Sequence, residues 1–232
     1  MNLLTTQNAK TIKGDSLGYS TALLYLAPST VAGRGNVCPF ASKECKAVCL
    51  YSAGRGKFNS VQKARIRKTN LFFDDPKNFI EIVAGDVAQH VANCKDTLPA
   101  IRFNGTSDLP IENLEGYWGK SLLERFPQVA WYDYTKNPNR MKAYLRGEMP
   151  SNYHLTFSRS ECNDKICLEI LEMGGNVAVV FDELPKTWRG YKVIDGDKND
   201  LRFLDESNVI VGLKAKGQAK KAETNFVVKT EK

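Results

Sequence analysis

Histidine is nearly missing from this 232-residue chain: there are two, His90 and His154. They stand too far apart to act as a paired-histidine metal motif. No apolar run approaches the roughly 20 residues a membrane span needs. The opening residues, Met1 to Lys10, are polar and lack the apolar core of a secretory signal. These absences lead us to expect a cytoplasmic protein with no membrane partner. In that compartment the six cysteines are expected as thiols or metal ligands, not structural disulfides. There is also no internal repeat and no low-complexity segment.

What is present is ordinary for a globular protein. Hydrophobic residues make up 42% and charged residues 25%, enough to build a full core without staples. The net charge of +7 favours anionic partners and says nothing about fold. The expected organisation is one α/β domain over 1–213, with a cysteine loop at 28–56, followed by a basic, partly disordered C-terminal tail at 214–232.

Residues 21–26 (TALLYL) read as a first strand. A loop rich in Gly, Pro and Ser follows. Ser60 is positioned to cap a helix running to about Phe73. Asp75-Pro76 marks a second helix start, a capping acid followed by proline where its missing N–H does no harm. Phe79, Val83, Val87 and Val91 then recur at steps of four, one face of a helix. Beyond them, apolar runs at 100–103, 129–132, 153–157, 177–181, 191–194 and 209–213 alternate with helical segments at 116–125, 138–146 and 162–172, the last with Ser160 as its cap. Such alternation implies right-handed βαβ units and a mainly parallel sheet, either a six-stranded partial barrel or an open doubly wound sheet.

In parallel α/β folds the site gathers at the carboxyl ends of the strands. Here those ends are consistently polar: Asn104 to Asp108, Asp133 to Lys136, Ser158 to Glu161, Asp182, and Asp195 to Asp197. Asp108, Asp133 and Lys136 are the candidates for catalysis. Asn104, Ser107, Ser158, Arg159 and Asp195 are the candidates for holding a cofactor. The competing reading is helix capping, which favours the same residue types.

Cys38, Cys45 and Cys49 lie close together on the glycine-rich loop. Thiolates are soft ligands, suited to zinc or an iron–sulfur cluster. Three of them leave one coordination position open for substrate or water. Two other readings stay open: a structural zinc whose fourth ligand is Cys94, Cys162, Cys167, His90 or His154, and small buried cysteines with no metal. Cys162 and Cys167 each sit four residues before an apolar one, so both read as core-facing helix residues. After the cluster come Arg55, Lys57, Lys63, Arg65, Arg67 and Lys68 with no acid among them. They form either a phosphate-binding patch or a solvated helix face.

The segments Asn36-Val37-Cys38-Pro39, Ala53-Gly54-Arg55-Gly56, Arg102 to Asp108, Tyr132 to Lys136, Leu155 to Glu161, Val193 to Asp197 and Gly212 to Gly217 resemble those of the gene product 88 family of phage and plasmid proteins. For a phage-encoded protein, that resemblance implies a bacterial host's cytoplasm. A more distant one, in topology, is to radical S-adenosylmethionine enzymes. It implies a partial (β/α)6 barrel, a [4Fe–4S] cluster on three cysteines after the first strand, and S-adenosylmethionine on the open iron. The spacing here is C-x6-C-x3-C, where that superfamily usually has C-x3-C-x2-C. Some members of the phage family carry a rolling-circle initiator label. Such initiators typically need a histidine pair that this chain lacks.

Three functions follow. In the first, an iron–sulfur enzyme of radical type, Asn104, Ser107, Asp108, Ser158 and Arg159 line the cofactor pocket. The second is a zinc-containing nucleic-acid-binding protein acting in phage or plasmid replication through the basic helix. The third is a zinc enzyme with Asp133 or Asp108 as general base.

Overall fold

The computed structural model describes residues 2–6 and 12–230. Ten strands form one sheet: β1 (Leu4–Thr5), β2 (Tyr19–Leu24), β3 (Leu98–Arg102), β4 (Ala130–Thr135), β5 (Tyr153–Ser158), β6 (Val177–Phe181), β7 (Thr187–Trp188), β8 (Tyr191–Asp195), β9 (Ile210–Lys214) and β10 (Val227–Val228). The helices are α1 (Ile12–Asp15), α2 (Lys43–Ala47), α3 (Asn59–Asp74), α4 (Pro76–Asn93), α5 (Leu122–Arg125), α6 (Pro138–Leu145) and α7 (Asp164–Glu172).

The sheet runs β1-β2-β3-β4-β5-β6-β9-β8-β7 and is open. Every pairing is parallel except β1 with β2 and β7 with β8 at the two edges. The mainly parallel sheet is therefore as expected. Its order differs from a simple progression, because β9 lies between β6 and β8. No described helix is long and apolar enough to cross a membrane.

The pleat divides each strand between two faces. Ile101, Trp131, Leu155 and Val179 share one core with Phe79, Val83 and Val87 of α4, Met141 of α6 and Ile170 of α7. Helices thus cover that face. On the other face, near the start of the strands, Leu201 packs with Ala100 and Tyr132. Phe203 meets Tyr19 edge-on at 4.9 Å between centroids. The upper half of this second face, toward the carboxyl ends, is left for a cavity.

Several local expectations need correction. The helix expected over 116–125 is only α5. A turn at 116–120 precedes it, Gly119 takes φ +71°, and Ser121 with Glu124 forms a capping box that starts the helix late. Ser60 does not cap α3, which begins at Asn59 with no side-chain cap. Ser160 does not cap α7 either. Its own N–H donates to Asn163 Oδ1 at 2.6 Å, and Asn163 becomes the N-cap residue. Cys162 therefore stays outside the helix and is exposed, whereas Cys167 is buried.

The lysine-rich segment after 213 is part of the architecture. β5 pairs with β6 only as far as Ser158 and Ala178, and β10 takes its place beside Val180 and Phe181. Val227, Ala215 and Ala219 are buried against Val48 of the cysteine loop. The apolar residues scattered among the lysines account for this ordering. Residues 231–232 lie outside the described residues.

Candidate functional site

The cysteine loop is stitched to the strand ends. Asp108 N–H donates to Val37 O at 2.8 Å and Gly105 N–H to Leu24 O at 2.9 Å. A Cβ at Gly105 would stand 2.6 Å from that same carbonyl, so only glycine fits. Ser42 accepts the N–H of Cys45 at 3.1 Å as the cap of α2 and donates to Glu161 Oε2 at 2.6 Å. Glu161 Oε1 also accepts the N–H of Glu44 at 3.2 Å. Burial alone would raise the Glu161 pKa. The hydrogen bonds outweigh it and hold the carboxyl below the usual range. Glu44 Oε2 in turn accepts the Phe226 N–H at 2.9 Å and the Thr224 hydroxyl. The loop is thus fastened both to the turn after β5 and to the segment ending in β10.

Between loop, sheet and that segment lies a cavity of about 510 Å³. Cys38, Cys45 and Cys49 line it, together with Arg102, Asn104, Ser107, Asp108, Tyr134, Lys136, Ser158 and Phe226. Its floor is an ion pair, Arg102 to Asp200 at 3.1 Å, with the guanidinium stacked 4.5 Å from the Tyr134 ring. Lys136 Nζ donates to Ser158 Oγ at 2.8 Å and stands 5.6 Å from the Phe226 ring centroid.

Burial pushes the Cys38 thiol up to about 12, helped by neighbouring Cys49 and Asp108. Cys49 is also raised, again chiefly by burial. Such thiols ionise only when a cation takes the place of the lost water. Cys38 Sγ accepts the Ser29 N–H at 3.3 Å and faces Thr106 O at 3.6 Å. The donor chemistry suits a soft metal. However, among the described residues no three His, Cys, Asp or Glu side chains are gathered into a metal-binding set. The fourth-ligand candidates lie elsewhere. His90 binds Ser20 O at 3.1 Å, and Cys94 binds His90 O at 3.2 Å, both toward the amino ends of the strands. His154 lies tilted at 41° to the Phe203 ring, Cys167 is buried in the core, and Cys162 faces Ser160 Oγ at 3.6 Å.

The other expected residues divide. Asn104, Ser107, Asp108, Lys136 and Ser158 line the cavity; Asp133, Arg159 and Asp195 do not. Asp133 sits behind the rim, fully buried. It accepts from Asn104 N–H at 2.6 Å, Asn104 Nδ2 at 2.9 Å and Tyr153 OH at 3.0 Å. Burial raises its pKa to about 6 against the pull of Arg140 and Asn104. Arg159 donates to Asn225 O at 2.7 Å and Phe226 O at 3.0 Å, and pairs with Asp164. It lines a separate groove of about 410 Å³. Asp195 accepts the Asp197 N–H at 2.9 Å, shaping the turn that brings Asp197 to the cavity.

Of the basic cluster, Arg65 and Lys68 turn inward. The Arg65 guanidinium stands 4.7 Å from the Tyr25 ring and 5.5 Å from Tyr51, and Lys68 Nζ donates to Leu3 O. Arg55, Lys57, Lys63 and Arg67 are exposed. Arg55 and Lys57 precede α3, in a 3-10 turn at Gly54–Lys57. The six therefore do not make one helical face.

Sequence reasoning did not find Arg140. This buried arginine of α6 grips Glu112 at 2.7 and 2.8 Å, reaches Asp108 Oδ1 at 3.0 Å and donates to Tyr153 OH. It thereby fixes Asp108, whose other oxygen accepts the Lys136 N–H at 2.8 Å. Nor did it find Arg102 and Asp200, although a charge inside a buried strand needs a partner and so announces one.

The family model for Gene product 88 matches residues 2–230. No curated protein and no solved structure matches.

Proposed function

The chain belongs to the Gene product 88 family, and from that premise we propose that it is an iron–sulfur enzyme of radical type. In this reading Cys38, Cys45 and Cys49 hold a [4Fe–4S] cluster, and S-adenosylmethionine is its small-molecule partner. The cavity-lined face of the sheet serves as the inside of a partial barrel. One observation carries the reading: three cysteines of one loop open into the same cavity as the polar carboxyl ends of β3, β4 and β5.

The cluster supplies single electrons, and its iron without a cysteine supplies a docking point for amino and carboxylate groups. The chain's own residues do the rest. Lys136, held by Ser158 at 2.8 Å, offers a cation to a carboxylate. Ser107 Oγ donates to Asn104 Oδ1 at 2.7 Å, which fixes both as hydrogen-bonding groups on the rim. Phe226 and the apolar loop residues exclude water. The three thiols share the cavity without forming a closed ligand set. A cluster held by the three would take Cys38 Sγ from its present contacts with Ser29 and Thr106.

The test is anaerobic reconstitution of the wild type and of six single Cys→Ala variants, with iron, sulfide and zinc measured in each. Loss of iron and sulfide in the variants at 38, 45 and 49, but not at 94, 162 and 167, supports the reading. So does a spectral change of the intact cluster on adding S-adenosylmethionine. A colourless protein with stoichiometric zinc favours a zinc-containing nucleic-acid-binding protein instead. Uptake of neither metal ends both.

A further inference from the structure

The cavity mouth has a one-sided charge balance. The acids that line it are each paired with a cation: Asp108 with Arg140, Asp197 with Lys216, and Asp200 with Arg102. Lys46, Lys214 and Lys216 line the cavity and are exposed. The 3-10 turn at Gly217–Lys220 packs against the one at Leu50–Ser52, and a Cβ at Gly217 would stand 3.0 Å from that of Ala53. This contact sets the turn that carries Lys220, next to the cavity-lining Ala219, against the loop two residues ahead of Arg55. Among the described residues, Lys46, Arg55, Lys57, Lys214 and Lys220 make no ion pair.

The same mouth is apolar. Leu50 and Val31 line it while remaining 48% exposed. Inside, Val48, Val180, Leu213 and Phe226 continue the apolar wall. Acidic peptides and lipid headgroups match the charge, but neither repeats a flat ring beside every negative group. Single-stranded nucleic acid brings both, with phosphates for the rim and unstacked bases for the slot.

We propose that this mouth binds single-stranded nucleic acid, with phosphates on the rim formed by Lys46, Arg55, Lys214 and Lys220 and a base entering the cavity past Leu50. The proposal adds a substrate class to the site and stands independently of which metal the cysteines take.

Fluorescence anisotropy of a labelled single-stranded oligonucleotide, as DNA and as RNA, tests it on the full chain. Affinity should fall steeply with salt. The double variant Lys46→Glu/Lys220→Glu should bind roughly tenfold or more weakly, with a shallower salt slope. Leu50→Ala should bind several-fold more weakly, and wild-type affinity in that variant would overturn the entry of a base past Leu50. The pair Lys77→Glu/Lys165→Glu, exposed on α4 and α7, should bind like the wild type. All the substituted side chains are exposed, and thermal melts verify folding. Equal losses in rim and control variants, tighter binding of duplex, equal competition by polyglutamate, or no binding at low salt would each overturn the proposal. Iron and sulfide content, measured on the same samples, reports on the cluster separately.

Discussion

Asp133 holds Asn104 twice: one carboxylate oxygen accepts its backbone N–H at 2.6 Å and the other accepts its side-chain amide at 2.9 Å. A buried carboxyl therefore sets the orientation of a rim residue without reaching the cavity. The Asn104 oxygen is left to accept from Ser107 at 2.7 Å and from the Leu109 N–H at 2.8 Å.

This arrangement has a pH signature. Burial raises the Asp133 pKa to about 6, so the folded state binds the proton more tightly than the unfolded state does. Stability from this group is full below the unfolded value near 4 and is lost as pH rises toward 6. Denaturant unfolding of the wild type and Asp133→Asn should show the difference between them moving against the wild type from pH 4 to 7, on the order of 3 kcal/mol. A flat difference would mean that Asp133 titrates normally.

Arg140 compensates two carboxylates at once, Glu112 at 2.7 Å and Asp108 at 3.0 Å. Arg140→Ala should cost about 3–5 kcal/mol, because it strands buried charge. Adding Glu112→Gln should recover part of that loss. Additive costs in urea unfolding would argue that the pair is not coupled.

The cysteines should separate in stability as well as in metal. Cys162 is exposed, so Cys162→Ala should leave the melting temperature unchanged. Cys167 is buried in the core, and its alanine variant should cost about 1 kcal/mol. Equal shifts in calorimetry would contradict the placement of Cys162.

Glu44 joins the cysteine loop to the segment that ends in β10. Glu44→Ala should release that segment, at a cost of roughly 1–2 kcal/mol. Limited proteolysis should then cut within 215–228 sooner than in the wild type. Unchanged cleavage kinetics would show that Arg159 and the β10 pairing hold the segment alone.

The main strands were legible because each is a short apolar run long enough to pair in a buried parallel sheet. β1, β7 and β10 were not: each has two residues, and only tertiary partners make them strands. The site residues follow a simpler rule that went unused. Asp133 alternates with Trp131, Arg159 with Phe157, and Asp195 with Val193, all on the helix-covered face. The pleat therefore turns those three away from the cavity. Asn104 alternates with Arg102, Lys136 with Tyr134, and Ser158 with Thr156, and these reach it. Period-two counting from the core residues would have sorted them. It would not have found Arg140, whose partners come from a loop and a strand distant in sequence.

The tie between Glu44 and Phe226 spans 182 positions. A ribosome adding about 5–20 residues per second reaches residue 226 roughly 10–35 s after the last of the three cysteines. During that interval the thiols and strands β2 to β5 exist without their outer wall. The chain thus passes through a stage in which its cysteines lack the wall that Ala219 and Phe226 later supply. Order of synthesis makes this side of the cavity the last to be built.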